Sequence, residues 1–174
     1  MDIREAISLI ETDDIIKDKP TSWADLGCGK GLFTHALAAL LSPGSTVFAI
    51  DKNISSFQEN LFPGHVTIQP MESDFVQDDL KLQKLDGILM ANSLHFIRNK
   101  KLLIEKLIPW FRKVPVFLLV EYDTDRSNPW VPYPQSFITL KEFFTEMGFG
   151  VIKKINEKKS LYRSGKMYSA FITR

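Results

Sequence analysis

One cysteine, Cys28, is the chain's entire stock of thiols. That excludes an internal disulfide and a multi-cysteine zinc site, and no metal is expected. An excess of one charge is also missing. The 22 Lys plus Arg face 21 Asp plus Glu, a formal net charge of +1, which excludes a strongly basic protein that coats nucleic acid by bulk charge. Long hydrophobic runs are absent. No stretch approaches the roughly 18 uncharged apolar residues of a membrane-spanning helix. Met1-Asp2-Ile3-Arg4-Glu5 lacks the basic-then-apolar pattern of an export signal, so a cytoplasmic location is the expectation.

What is present is ordinary for a globular chain. Hydrophobic residues make up 44% of 174, enough for one substantial core, and residues 1–174 are expected to form a single domain. That length leaves no room for a separate substrate domain. The charges are segregated. Residues 153–174 hold seven bases and one acid, a net +6, which leaves fifteen bases against twenty acids, a net −5, in residues 1–152.

Helical and extended patterns alternate along the chain. Asp2-Ile3-Arg4-Glu5 starts an N-terminal helix within residues 1–16, with an acid at the cap and Glu5 three residues on. Trp23 to Leu26 predicts a strand running into Gly27-Cys28-Gly29-Lys30-Gly31, and Leu32 to Leu41 a helix with Phe33, Leu37 and Leu40 on one face. Thr46 to Asp51 is a second strand. Ile54 to Leu61 predicts a helix stopped by Pro63-Gly64, and His65 to Gln69 a third strand. Leu85 to Ala91 and Val116 to Val120 are apolar strands around a helix from Lys100 to Leu107, which Pro109 ends. A loop with three prolines covers 122–137. Thr139-x-x-Glu142 predicts a capped helix through Met147, with Gly148 at its end. The last strands, Phe149 to Glu157 and Lys166 to Thr173, have no helix between them and should pair antiparallel. The expected class is α/β, a parallel sheet with helices on both faces.

Three features fall at the carboxyl ends of the first three strands, where open α/β sheets bind ligands. The first is Asp25-x-Gly27-x-Gly29-x-Gly31, a turn whose glycines let a ligand approach the backbone. The second is Asp51, 22 positions past Gly29, able to accept from both hydroxyls of a ribose. The third is Asp74-Phe75, an acid for an adenine amine beside a ring for its face. The competing structural roles are a buried acid serving loop amides (Asp25), a helix N-cap (Asp51) and a solvated loop acid (Asp74). A dinucleotide fingerprint wants Gly-x-Gly-x-x-Gly. Here the third glycine arrives one residue early, which disfavours a dehydrogenase.

Ala24 to Gly31 resembles the first motif of the class I S-adenosylmethionine-dependent methyltransferases. Phe48-Ala49-Ile50-Asp51 is similar to their second-strand acid, and Ser73-Asp74-Phe75 to their adenine contact. Leu89 to Phe96 is similar to the fourth-strand motif of small-molecule members. The resemblance implies a Rossmann-like, doubly wound, seven-stranded sheet of order 3-2-1-4-5-7-6 with strand 7 antiparallel. It implies S-adenosylmethionine as methyl donor and S-adenosylhomocysteine as product. Asp25 would lie near the methionine amino group, and Gly27, Gly29 and Gly31 would make room for the methionine and ribose. Asp51 would take the ribose hydroxyls, Asp74 the adenine amine, Phe75 the ring, and Asn92 the methionine moiety. Lys52 departs from the pattern, since an apolar residue often follows the ribose acid, and Ile54 is expected to supply that contact instead.

Methyl transfer from a sulfonium is an in-line displacement that needs mainly alignment, so the catalytic signature is faint. His95, just past the fourth strand, is the candidate base; the alternative is a histidine hydrogen-bonded to backbone. The 122–137 loop is the candidate substrate wall, through Tyr122, Asp123, Arg126, Trp130 and Tyr133; alternatively its aromatics cover the sheet edge. The leading expectation is an enzyme with a small-molecule acceptor and no membrane partner. The residues carry no indication of an oligomeric state. Two rivals remain. One is an RNA methyltransferase using the basic 153–174 segment, against edge-strand protection by its lysines. The other is a non-enzymatic S-adenosylmethionine-binding module.

Overall fold

The protein is described from a computed structural model, over residues 1–15, 17–58, 65–159 and 165–174. Helix α1 spans Ile3–Ile10, and Asp2 caps it. The Asp2 carboxylate accepts from the Glu5 N–H at 2.9 Å and the Glu5 carboxylate from the Asp2 N–H at 3.1 Å, two orphan donors satisfied reciprocally. The helix stops six residues short of the expected 16, where Thr12 turns the chain by bonding Asp14.

Next come β1 (Ser22–Leu26), α2 (Leu32–Leu40), β2 (Thr46–Asp51), β3 (Thr67–Glu72) and β4 (Gly87–Ala91). They are followed by α3 (Lys100–Leu107), β5 (Val116–Tyr122), α4 (Phe137–Glu146), β6 (Val151–Lys159) and β7 (Lys166–Thr173). Among the described residues the strands form one sheet of order β3-β2-β1-β4-β5-β7-β6, with β7 antiparallel to both neighbours. The expected strand order is met. Side chains alternate across the sheet. Ala24, Ile88, Phe117 and Leu119 pack on one face with α3 and α4, and Trp23, Leu89, Leu118 and Val120 on the other with α1 and α2.

Other expectations differ from the fold as well. Residues 54–58 form a turn rather than a helix, because the Asn53 side chain accepts from the N–H and hydroxyl of Ser55, a local bond that competes with helix formation. The rest of that expected helix and its Pro63-Gly64 stop lie outside the described residues, as does Arg163. Strand β3 starts two residues later than expected and runs through Pro70, which an edge strand tolerates. Helix α4 starts earlier, because Ser136 and not Thr139 supplies the cap, accepting from the Thr139 N–H at 3.3 Å.

The basic segment is folded against the acidic body. Lys153 pairs with Asp14 at 2.8 Å, Lys154 with Asp123 at 3.3 Å and Glu157 at 3.0 Å, Lys158 with Glu5, and Lys166 with Glu157 at 2.6 Å. Strand β6 is an edge, and its lysines and its bulge between Lys154 and Asn156 are two devices that discourage pairing with another chain.

Gly87 on β4 makes room for the Trp23 ring. A Cβ there would meet the Trp23 ring at 2.3 Å. Gly87→Ala is expected to lower stability by about 1–3 kcal/mol, read as an earlier midpoint in urea unfolding at unchanged slope.

Candidate functional site

The turn after β1 is shaped by what its glycines lack. At Gly27, φ is +82°, and a Cβ would come within 2.5 Å of the Ser93 Cβ. At Gly31, φ is +90°, and a Cβ would strike the Phe57 ring at 2.6 Å. Both positions therefore reject a side chain on backbone and steric grounds together. With Gly27 bare, the residue after Asn92 closes onto β1, and the Ser93 hydroxyl donates to the Leu26 carbonyl at 2.6 Å.

Asp51 ends β2 beside this turn. One carboxylate oxygen accepts from the Gly29 N–H at 2.9 Å and the other from the Asn53 N–H at 3.1 Å. Each oxygen keeps further accepting capacity. Asn92 follows β4 in the left-handed region at φ 55°, which asparagine tolerates. Its side-chain Oδ1 is buried and has no hydrogen-bond partner among the described residues.

These groups share a cleft of about 890 Å³ at the carboxyl edge of the sheet, within the range of small-molecule sites. Gly27, Asp51, Phe75, Asn92 and Ser93 line it, with Phe96, Ile97 and Arg98 from the β4–α3 connection and Leu102 from α3. Lys52 lines it too, and Ile54 does not. The apolar contact expected from Ile54 is thus absent, and a lysine stands on the wall.

The remaining expected residues lie off the cleft wall. Asp25 is 1% exposed beneath the turn, where the Thr34 hydroxyl donates to it at 2.6 Å. Burial pushes its pKa up to about 7; the Thr34 bond opposes the rise and the nearby Asp51 charge adds to it. Asp74 is turned to its own loop. It accepts from the N–H groups of Val76 at 2.9 Å and Gln77 at 3.3 Å, and pairs with Lys52 at 2.9 Å. Burial works against ionisation of Asp74, but Lys52 and the two amides outweigh it and hold the carboxyl below its ordinary range. Gly29 and Gly31 shape the turn without lining the cleft. Burial, with Asp25 and Asp51 nearby, pushes the Cys28 thiol far up, so it stays protonated.

His95 is 4% exposed and faces inward. Glu121 near the end of β5 grips it twice, through ring Nδ1 at 2.6 Å and backbone N–H at 3.2 Å. The expected base therefore sits in a buried pair and not on the cleft wall. The loop hangs from the same point. The Tyr133 N–H donates to the His95 carbonyl at 2.9 Å, and Lys100 donates to the Tyr133 carbonyl at 2.6 Å. Tyr122 is the last residue of β5, with its ring 5.7 Å from His95. Asp123 accepts from the Phe137 N–H at 2.9 Å, tying the loop's two ends together. Arg126 and Trp130 are exposed, and none of the five lines the cleft.

Glu121, Ser93 and Lys106 were not among the sequence candidates. Glu121 carried a signal, an acid closing an apolar strand as Asp51 does; the other two carried none.

No protein-family model matches the chain, and no curated protein matches it in sequence. Solved structures do match. Plantazolicin methyltransferase BpumL, in complex with SAH, is 13% identical with a TM-score of 0.63, over 90% of this chain and 77% of that one. Magnesium protoporphyrin IX methyltransferase ChlM of Synechocystis PCC 6803, with bound SAM, is 16% identical with a TM-score of 0.64, over 97% and 77%. A SAM-dependent methyltransferase from Methanosarcina mazei is 13% identical with a TM-score of 0.62, over 90% and 93%. The chain has the fold these proteins share.

The Asp25 carboxyl makes stability depend on pH. Its folded pKa, about 7, exceeds the unfolded value near 3.9, so the folded state binds the extra proton between the two. The contribution is full below about pH 4 and is lost as pH rises through 7. Asp25→Asn should remove that decline. The unfolding free energy of the variant, from urea titration, should gain on wild type between pH 4.5 and 8, by on the order of a few kcal/mol.

Proposed function

We propose that this chain is an S-adenosylmethionine-dependent methyltransferase acting on a small molecule, with residues 1–174 forming one catalytic domain. The observation that carries the reading is the convergence of Gly27, Asp51, Phe75 and Asn92 on one cleft at the carboxyl edge of a sheet with this strand order. The residues present suit such a cofactor. Asp51 offers accepting capacity to a pair of hydroxyls, and the orphaned buried Asn92 Oδ1 suits a donor such as an ammonium or hydroxyl. Phe75 lines the cleft while most of it stays in the core.

When bound, the cofactor supplies an electrophilic methyl group on a sulfonium. The chain's part is to bind and align. Asp51 is fixed by the Gly29 and Asn53 amides before any ligand arrives, so little ordering is charged to binding. Gly27 keeps a side chain out of the cleft floor, and Ser93 closes onto it. No histidine stands among the cleft-lining residues, which suits an acceptor that is already partly deprotonated or that loses its proton late. In this reading His95, held by Glu121, anchors the turn that carries Asn92 and Phe96.

The small-molecule reading draws on the cleft's size and on the pairing of Lys153, Lys154, Lys158 and Lys166 with the protein's own acids, which leaves fewer cations to meet a polyanion. No helix among the described residues is long and apolar enough to cross a membrane.

Calorimetry tests the reading. The folded protein should bind S-adenosylmethionine and S-adenosylhomocysteine, and Asp51→Ala should weaken both by roughly 10–100-fold, the value of hydrogen bonds to a charged group. Absence of detectable binding of either to folded wild type would sink it.

A further inference from the structure

Lys106 lies in the last turn of α3 and on the cleft wall. An ammonium has three N–H donors. Lys106 directs all three to carbonyls of one other segment, the loop after β3: Phe75 O at 3.1 Å, Val76 O at 3.0 Å and Asp78 O at 2.7 Å. A basic residue in a last helical turn ordinarily complements its own helix's carbonyl end. This one serves a loop 28–31 residues earlier in the chain.

The loop has no helix or strand to fix it. Its donors point inward. Val76 and Gln77 N–H groups meet the Asp74 carboxylate, the Asp78 N–H meets the Asp74 carbonyl at 2.7 Å, and the Asp78 carboxylate accepts from the Asp74 N–H at 2.8 Å and the Ser73 hydroxyl at 2.5 Å. The Asp74 carbonyl is met within the loop, while those of Phe75, Val76 and Asp78 have no partner there, and Lys106 gathers all three. Charge-assisted bonds of this kind are stronger than neutral ones. Two of the residues so held, Phe75 and Val76, line the cleft, as does Gln77 between Val76 and Asp78.

We propose that Lys106 is a positioning residue for the cofactor, holding the 75–78 loop in the shape that receives the nucleoside half while taking no part in the reaction. The proposal rests on the reading of the cleft given above. Its physical content is preorganisation: without the ammonium the loop must be ordered at the moment of binding, and affinity falls by that cost.

The test compares wild type, Lys106→Met and Lys106→Gln. Dissociation constants are measured by calorimetry for S-adenosylhomocysteine and for 5′-methylthioadenosine, which keeps the nucleoside and lacks the amino acid. Amide hydrogen exchange is followed at Val76, Gln77 and Asp78 without ligand. Lys106→Met should keep wild-type circular dichroism, bind both ligands about tenfold more weakly, and exchange those three amides faster. Lys106→Gln, which keeps two donors, should fall between, and it carries both measurements if Lys106→Met folds poorly. An equal loss for the two ligands places the effect on the nucleoside half. Affinity within twofold of wild type, or unchanged exchange, overturns the assignment of Lys106. A loss confined to S-adenosylhomocysteine overturns it as well. Wild type that binds neither ligand overturns the reading of the cleft itself.

Discussion

The approach of the β4 turn to the β1 turn is the constraint on which the site depends. Ser93 can bond the Leu26 carbonyl only because position 27 has no Cβ, and the two turns then close the floor of one cleft. The strand order makes that meeting possible. Strands β1 and β4 are neighbours while the chain runs out to β3 and back between them, which is the switch point at which open sheets hold ligands. Asp51 and Asn92 reach the cleft from either side of that junction. A side chain at position 27 would part the turns before it touched any ligand.

Buried polar groups hold the surroundings of the cleft in place. Asp25 sits under the glycine turn with Thr34, and Glu121 holds both the ring and the backbone of His95. Such groups are costly to bury: Glu121 has both oxygens bonded, while Asp25 has one oxygen on Thr34 and the other without a partner among the described residues. Through the His95 and Tyr133 backbones the second cluster also suspends the long loop, which explains how a segment with three prolines keeps a fixed course. Together they leave the cleft wall with one carboxylate, that of Asp51, and several cations.

The sequence made the frame legible and the side-chain traffic across it much less so. The alternation of elements, the antiparallel closing pair and the glycine turn with Asp51 follow from periodicity and from spacing along one strand–turn–helix unit. Misreadings arose where a local polar bond outcompeted a pattern, as Asn53 does after β2 and Ser136 does before α4. Asp74 and His95 were noticed for their chemistry, but their orientation depends on partners elsewhere in the chain: Lys52 for one, and for the other Glu121, 26 residues away. Ser93 and its Leu26 partner are 67 residues apart. No local window contains such a pair.

Helix α1 shows how far such separation extends. It packs on α2, but Leu9 is held by the Ser169 hydroxyl and Ser8 by the Asn156 side chain, 160 and 148 residues later. At about 5–20 residues per second of synthesis, the first helix would wait roughly 7–30 seconds for those partners to be made. The last two strands therefore act as the clasp that secures a helix made long before them.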